Sequence, residues 1–373
     1  MRISDSATTP LFLVDVERVR RNCDRMRAKA EDSGVLFRPH VKTHKTFEIG
    51  RMQGGGEPGP ITVSTLSEAE LFASHGFRDI TYAVPIAPEK LDRAATLGKT
   101  IDALNLLVDS TDAVEAIEAF SASHAVLFDV FLKIDCGYHR AGVDPDDPRS
   151  LDLALRMANS PAIRFRGLLT HAGHSYNATS RQEIARIAAA ESAAVTGFRD
   201  RLTERGVNGM IRSVGSTPTL SVVERVESAD EIRPGNYVFY DAFQATIGAC
   251  TLDDCAATVL TTVVGSYPER NQLIVDAGAL ALSKDPGPTH IDPSFGYGTV
   301  CDLDLVPLPL KLTALSQEHG KISVTAGSAG DHPIGKRLRI IHNHSGLTAA
   351  MFDRYHVLRN GVIADEWRPA RGW

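Results

Sequence analysis

The sequence predicts an α/β protein, with a (β/α)8 TIM-type barrel followed by a C-terminal antiparallel β domain. Short apolar strands alternate with helices about eight times over about 230 residues, which is the pattern of such a barrel. No Gly-rich dinucleotide loop follows the first strand, so a doubly wound open sheet is the less favoured alternative. Further along, β-branched runs separated by Gly, Pro and Asp replace this alternation. The 373 residues are enough for two domains.

The elements of the predicted barrel follow one another closely. The chain opens with an apolar strand over residues 11–14, and Asp15 is the predicted N-cap of a helix over residues 16–31. Further strands are predicted over residues 35–37, 61–64, 80–84, 103–108, 126–134, 165–170 and 211–214. The helices between them are predicted over residues 45–52, 67–74, 88–97, 110–121, 148–159 and 180–205.

The C-terminal region predicts a separate antiparallel domain, because no long helical pattern interrupts its strands. These strands are predicted over residues 257–264, 272–275, 311–315, 321–324, 337–341 and 354–358. We therefore predict a barrel domain over residues 10–240 and a β domain over residues 241–373. The N-terminal residues 1–15 can pair with the β domain, so the domains need not be strictly consecutive in sequence.

Composition argues against several classes of partner. The net charge is −6, and Lys and Arg are dispersed, so no basic surface for nucleic acid is predicted. The five cysteines contain no C-x-x-C pair, which favours reduced thiols over a disulfide scaffold or a zinc knuckle. The N-terminus lacks an apolar signal core, and no run approaches the ~18 apolar residues of a membrane span. A cytoplasmic protein that acts on a small molecule is predicted.

One basic run, over residues 38–45, carries the strongest chemical signal. It places Lys42 between His40 and His44, directly after an apolar strand. Functional residues of a parallel barrel lie at the carboxyl ends of its strands. In such surroundings the charge of an amine can be suppressed and its nitrogen made nucleophilic. Lys42 is therefore a candidate imine-forming lysine, and the alternative is a solvated basic turn.

Polar clusters follow three more of the predicted strands. Arg140 lies in the first cluster, His171 and Tyr176 in the second, and Ser216 and Thr217 in the third. Taken singly, Arg140 is more often a surface ion-pair partner and His171 a hydrogen-bonded barrel histidine. Four polar clusters at four strand ends together predict one site.

Two turns that contain glycine are candidate phosphate-binding segments. They span residues 214–217 and 233–237. Glycine lets backbone N–H groups approach an anion, Ser and Thr hydroxyls donate, and a helix beginning near Thr219 would direct its positive end at a phosphate. Phosphate sites in this architecture often use the final two βα loops, which supports the second turn.

Six motifs together resemble those of the D-threonine aldolase and D-serine dehydratase family, and they are found in residues 38–45, 64–70, 171–176, 214–217, 233–241 and 316–320. The members of this family are fold-type III pyridoxal phosphate enzymes related to alanine racemase. The resemblance covers nearly the whole chain. It implies a barrel that carries pyridoxal 5'-phosphate, a C-terminal β domain and a homodimer with active sites near the interface.

The resemblance also implies roles for individual residues. Lys42 matches the Schiff-base lysine, and Arg140 matches the group that faces the pyridine nitrogen. A nearby histidine, His44 or His171, would assist as a base. The remaining residues that the resemblance assigns to cofactor binding are His40, His171, Tyr176, Ser216, Thr217, Gly235, Asn236 and Tyr237.

The resemblance implies a divalent metal (zinc, manganese or magnesium) held by a histidine and by a second ligand two residues later. His344 matches the histidine, but Gly346 stands at the second position and has no side chain. Metal binding is therefore predicted to be weakened, redirected or absent. Two alternatives are a His342–His344 pair on one strand face and two solvent-facing histidines on an edge strand.

The leading functional prediction is a pyridoxal phosphate-dependent lyase that acts on a D-3-hydroxy amino acid. Retro-aldol cleavage ranks slightly above dehydration, because hydroxide departure needs a Lewis acid or general acid and Gly346 undermines the metal. Dehydration of D-serine or 3-hydroxyaspartate is the first alternative, and amino-acid racemisation is the next. A non-catalytic vitamin carrier is disfavoured by the additional β domain.

Overall fold

The computed structural model describes residues 7–373, and within them the chain divides into two compact units. One, the α/β unit, comprises residues 24–235 and 370–373. The other, the β unit, comprises residues 7–23 and 236–369. The predicted pairing of residues 1–6 lies outside the described residues.

The chain begins with strand β1 (Leu11–Asp15) and helix α1 (Val16–Ser33), and the boundary between the units falls within α1. The strands of the α/β unit are β2 (Leu36–Phe37), β3 (Ile61–Val63), β4 (Asp79–Pro85), β5 (Ala103–Val108), β6 (Phe128–Lys133), β7 (Ile163–Leu169), β8 (Ile211–Val214) and β9 (Glu231–Ile232). Its further helices are α2 (Phe47–Gln53), α3 (Leu66–Ser74), α4 (Leu91–Gly98), α5 (Thr111–His124), α6 (Pro148–Asn159), α7 (Arg181–Thr203) and α8 (Thr217–Val222).

The strands of the α/β unit form one parallel sheet of eight strands in the order β2-β9-β8-β7-β6-β5-β4-β3. An isolated parallel bridge joins His40, just beyond β2, to Thr62 in β3 at the other end of this order. Leu107, Phe131 and Leu169 pack together from three neighbouring strands. The predicted alternation of parallel strands and helices is confirmed.

Two details of the α/β unit differ from the sequence prediction. Strand β9 was not predicted, because it has only two residues and one is the buried Glu231. Helix α8 begins at Thr217, two positions before the predicted start, with Pro218 in its first turn. Proline suits the first helical turn because its missing N–H would have no helical partner there.

The β unit contains eight more strands and three short helices. Its strands are β10 (Ala257–Tyr267), β11 (Gln272–Val275), β12 (Thr299–Cys301), β13 (Pro307–Leu315), β14 (Gly320–Val324), β15 (Arg337–Ile341), β16 (Tyr355–Arg359) and β17 (Val362–Trp367). Its helices are α9 (Ala242–Thr246), α10 (Ala279–Leu282) and α11 (Ser345–Ala350). The sheet order is β11-β14-β13-β12-β15-β10-β1-β16-β17, with a further pairing of β10 to β11.

Strand β1 lies in the sheet of the β unit, where it pairs antiparallel with β10 and parallel with β16. Its Leu13 packs with Leu260 and Leu358, and all three are buried. The predicted division had assigned residue 10 onward to the barrel, with pairing to the β domain as the alternative. A run that is apolar on both faces does not identify its sheet partner from sequence.

No helix within residues 7–373 combines the length and the hydropathy that crossing a membrane would require.

Candidate active site

The turn that carries Lys42 follows β2 and is fixed at its start by His40. The His40 backbone N–H donates to Pro234 O at 2.8 Å. Its Nδ1 accepts the backbone N–H of Lys42 at 3.4 Å, and its Nε2 lies 3.3 Å from Ser64 Oγ. Burial and the charge of Lys42 hold the pKa of His40 well below its usual value. The neutral His40 ring therefore acts as a cap for the Lys42 turn.

Lys42 presents an amine whose charge is suppressed. Its side chain reaches solvent, and it lies near the charges of Arg140, Glu68 and Arg233. Burial and then the charge of Arg140 lower the pKa of Lys42 to about 8. Its Nζ forms no hydrogen bond or ion pair with any residue between 7 and 373. Such an amine is a good nucleophile near neutral pH.

His44 is fully buried, and both of its ring nitrogens are engaged. Its Nδ1 accepts the backbone N–H of Thr46 at 3.1 Å, and its Nε2 lies 3.1 Å from Gln53 Oε1. Burial lowers the pKa of His44 to about 3. Sequence reasoning included His44 among the catalytic residues. These contacts favour a structural role, in which the neutral ring binds Thr46 at the start of α2 and Gln53 at its end.

Arg140, Tyr138 and His171 form a cluster beside the Lys42 turn. The Arg140 guanidinium carbon lies 5.0 Å from the centroid of the Tyr138 ring, which makes an edge contact with His171 at 6.2 Å. A Cβ added to Gly173 would lie 2.2 Å from Tyr138 Cε1, so this close packing requires glycine. Burial, Lys42 and Arg140 hold the pKa of His171 well below its usual value. His171 is therefore neutral and able to accept a proton.

Lys133 is a site candidate that sequence reasoning did not single out. It is the last residue of β6 and is 5 % exposed, and within the described part of the chain its Nζ has no hydrogen-bond or ion-pair partner. Burial and the charges of Arg233 and Arg140 lower the pKa of Lys133 to about 8. A lysine at the end of a largely apolar strand was the available sequence signal.

The cations of this region have few anionic partners. Glu231 binds Arg38 at 2.5 Å, and Glu68 pairs with Lys45 at 2.9 Å. Lys42, Lys133 and Arg140 have no carboxylate within ion-pair distance among residues 7–373. Buried charge of one sign is stable only with a counter-ion. Lys133 is buried without such a partner, and Lys42 and Arg140 add two more unpaired positive charges, so the cluster fits an anionic ligand such as pyridoxal phosphate, which carries a phosphate and a phenolate.

The first predicted phosphate-binding turn, and the second one as far as Gly235, lie next to these residues within the α/β unit. Ser216 Oγ accepts the backbone N–H of Thr219 at 3.3 Å and lies 2.8 Å from Ser175 Oγ in the loop after His171. A Cβ on Gly235 would lie 3.0 Å from His40 Cβ, so Gly235 packs directly against the Lys42 turn. Thr217 is buried beside Ser216, and Tyr176 is half-buried in the 3-10 turn Gly173–Asn177.

Asn236 and Tyr237, which sequence reasoning assigned to cofactor binding, lie in the β unit. The Asn236 side chain is engaged on both sides, since Nδ2 donates to Asp241 Oδ2 at 2.8 Å and Oδ1 accepts from the Ser345 hydroxyl. Tyr237 is fully buried. The side chain of Asn236 thus orders its own turn, which leaves its backbone N–H as the group that can bind a ligand.

The residues expected around a metal do not fit one. Strand β15 ends at Ile341, and His344 instead caps α11, with its Nδ1 accepting the backbone N–H of Leu347 at 3.2 Å. With Nδ1 accepting this hydrogen bond the ring proton lies on Nε2, so metal binding by His344 would require the cap to open or the tautomer to change. Gly346 has no side chain that could act as the second ligand.

The two alternatives for His342 are also corrected. The His342 side chain is buried, and its ring stacks on Phe12 with the ring centroids 5.7 Å apart. Burial lowers the pKa of His342 to about 3. Strand β15 lies between β12 and β10 rather than at a sheet edge, so the predicted pair of solvent-facing edge histidines is wrong. Because the strand ends before His342, the two rings do not share a strand face.

Comparison with known proteins assigns the chain to a family. The profile of the alanine racemase N-terminal domain matches residues 14–242, and that of a putative serine dehydratase domain matches residues 256–358. The D-serine dehydratase of Dictyostelium discoideum is 40% identical, with 99% of this chain and 98% of that protein covered. The chain belongs to the D-threonine aldolase and D-serine dehydratase family. The predicted pyridoxal phosphate-dependent lyase and its alanine racemase-like fold are thereby confirmed.

Two further members of the family bear on the reaction. The D-threo-3-hydroxyaspartate dehydratase of Delftia sp. (strain HT23) is 38% identical, with 98% of each chain covered. Its solved structure superposes with a TM-score of 0.94 at 37% identity over 100% of both chains. The 3-hydroxy-D-aspartate aldolase of Paracoccus denitrificans is 28% identical over 96% of this chain and 90% of that protein. Similarity is therefore greater to these dehydratases than to this aldolase.

Proposed function

We propose that this protein is a dehydratase that converts a D-3-hydroxy amino acid, D-serine or D-3-hydroxyaspartate, into a 2-keto acid and ammonia. The observation that carries the proposal is the Lys42 amine, which has a pKa of about 8 and no ion-pair partner within residues 7–373. The greater similarity to dehydratases selects this reaction over retro-aldol cleavage.

Pyridoxal phosphate, bound through Lys42, would supply the electron sink that makes the α-proton of an amino acid acidic. Ser216, Thr217 and the backbone of Gly235 and Asn236 would hold its phosphate. Arg140 would face its pyridine nitrogen and leave that nitrogen unprotonated, because a guanidinium does not give up its own proton.

Lys42 is suited to move the proton in both directions. When the substrate amine has replaced it, the neutral Lys42 amine can remove the proton from Cα. The ammonium that results has a pKa of about 8 and gives its proton more readily than an ordinary lysine. That proton can protonate the departing 3-hydroxyl, so water leaves rather than hydroxide. The released enamine tautomerises to the imine, which adds water and loses ammonia to give the keto acid, so the reaction balances.

His171 is the second acid–base candidate. Its ring is neutral because burial and two nearby cations disfavour the imidazolium form. A neutral imidazole in this position can orient the substrate or accept a proton, whereas His40 and His44 are engaged as caps. No step is assigned to a metal, since His344 and Gly346 together lack a free donor pair.

Product analysis tests the proposal directly. The protein reconstituted with pyridoxal phosphate is incubated with D-serine, D-threo-3-hydroxyaspartate, D-threonine and the L-isomers. We expect equal amounts of keto acid and ammonia from one or both of the first two substrates, and none from L-isomers. Lys42→Ala should abolish the reaction. Lys45→Arg is the matched control, because Lys45 is three positions away and already paired with Glu68.

Other products would identify a different member of the family. Glycine with an aldehyde from D-threonine, and no keto acid from D-serine, would replace dehydration by retro-aldol cleavage. The opposite enantiomer without loss of the amino group would indicate a racemase.

We further propose that the parallel sheet closes as a (β/α)8 barrel, which the His40–Thr62 bridge supports. The division into domains over residues 10–240 and 241–373, a homodimer and a cytoplasmic location remain predictions.

A further inference from the structure

Glu191 is a buried acid on the apolar face of α7. The other residues buried along this helix are Ile184, Val195, Phe198 and Leu202, so Glu191 occupies a position in the apolar stripe. It is 2 % exposed. Placing a carboxyl group there costs desolvation, and such a group needs hydrogen-bond partners.

One oxygen of Glu191 joins two loops of the site. Oε1 accepts the backbone N–H of Ala172 at 2.8 Å and the backbone N–H of Gly215 at 3.1 Å. Ala172 follows His171 directly, and Gly215 directly precedes Ser216 and opens the predicted phosphate-binding turn. The two loops leave different strands, β7 and β8, so this acceptor, together with the contact between the Ser175 and Ser216 hydroxyls, sets the distance between them.

The chemistry of Glu191 does not depend on its charge. Burial raises the pKa of Glu191, while the two backbone N–H groups and the charges of Arg233 and Lys133 oppose that rise. Oε1 accepts both hydrogen bonds whether the group is a carboxylate or a neutral acid. An amide oxygen in the same place would do the same.

We propose that Glu191 is a positioning residue that holds the turn of residues 215–217 in the geometry needed to bind the phosphate of the cofactor, with the His171 loop as its anchor. The inference rests on the proposed function, because it takes the phosphate to lie at this turn. Glu191 itself touches neither cofactor nor substrate.

Comparing two forms of the cofactor separates this role from a purely structural one. The apoprotein is titrated with pyridoxal phosphate and with pyridoxal, which lacks the phosphate, and the dissociation constants are measured by absorbance. Glu191→Leu removes both hydrogen bonds and keeps an apolar side chain in the stripe. We expect it to weaken pyridoxal phosphate binding about tenfold, because the turn loses both hydrogen bonds that hold it, and to change pyridoxal binding less than about threefold.

Glu191→Gln is the matched rescue, since its amide oxygen can accept both N–H groups, and it should bind both ligands within about threefold of the wild type. If Glu191→Leu fails to fold, Glu191→Asp is used, because its carboxylate is one methylene too short to reach both amides and should show the same selective loss.

Two results would overturn the inference: wild-type affinity for pyridoxal phosphate in the folded Leu or Asp variant, or an equal loss for pyridoxal phosphate and pyridoxal. If the wild type itself binds neither ligand, the proposed function fails instead.

Discussion

His344 Nδ1 accepts the backbone N–H of Leu347 at a distance of 3.2 Å, which makes this histidine the N-cap of α11. The same contact fixes the ring proton on Nε2. His344, which matches the metal-ligating histidine of the family, therefore stabilises the start of a helix in this chain. The His344 ring lies close to Gly346, two residues further along the chain. A Cβ added to Gly346 would lie 3.2 Å from His344 Cε1.

The protein should therefore work without a divalent metal. We expect metal analysis of the purified protein by mass spectrometry to give far less than one zinc, manganese or magnesium ion per chain. Treatment with a chelator should leave the rate of keto acid formation unchanged. Gly346→Cys places a thiolate beside the His344 ring, and zinc retention should increase in that variant. One tightly held ion per wild-type chain, or inactivation by the chelator, would contradict this prediction.

The depressed pKa of Lys42 should govern how fast the cofactor is captured. Only the neutral amine attacks pyridoxal phosphate, so the rate at which the visible absorption band of the bound cofactor appears should rise with pH, with a midpoint at about 8. An ordinary lysine would give a midpoint near 10.4. Arg140→Gln removes a positive charge that lowers this pKa, and its midpoint should move to higher pH.

Lys133 provides the control for that experiment, because its pKa is also about 8 but its charge is not among those that act on Lys42. Lys133→Met should keep the midpoint near 8. If the midpoint disappears in Lys133→Met and is unchanged in Arg140→Gln, the titrating group is Lys133 and not Lys42, which would contradict this prediction.

Arg38 should be the most costly ion-pair residue to remove from the α/β unit. Its guanidinium is 4 % exposed and binds the fully buried Glu231 at 2.5 Å and Asp79 at 2.6 Å. Arg38→Met leaves the Glu231 charge buried without its partner, and the loss of unfolding free energy should be about 3–5 kcal/mol. Urea denaturation followed by circular dichroism measures it.

Arg156→Ala is the surface control for Arg38. Arg156 pairs with Glu115 and Glu118 on exposed helices, and such pairs contribute about 0–1 kcal/mol. Equal losses in Arg38→Met and Arg156→Ala would mean that the Arg38 network does not stabilise the folded protein.

Most strands and helices of the α/β unit could be predicted from the sequence, because runs of apolar residues for the strands and the 3.6-residue pattern for the helices are regular there. The helix predicted over residues 180–205 is α7 (Arg181–Thr203), and its predicted first residue Ser180 is the N-cap. Lys42 could be singled out because it follows a strand and stands between two histidines. Both predictions depend on neighbouring residues alone, and such local patterns predict an element well when they are long and regular.

What the sequence could not provide depends on contacts between distant segments. Glu191 looked like one more polar residue of a long helix, because only the fold brings Ala172 and Gly215 to its oxygen. The role of His344 followed from a strand that ends at Ile341, and element ends are the least predictable feature of a pattern. The sheet that β1 joins was likewise undetermined by its apolar residues.

The identity of the cofactor-bearing lysine is the central claim, and reductive trapping tests it most directly. The protein is incubated with pyridoxal phosphate, reduced with borohydride, digested and analysed by peptide mass spectrometry, with Lys42→Ala treated in parallel. We expect the reduced adduct on the peptide that contains Lys42, and no adduct in the variant. An adduct on Lys133, or none in the wild type, would contradict the account.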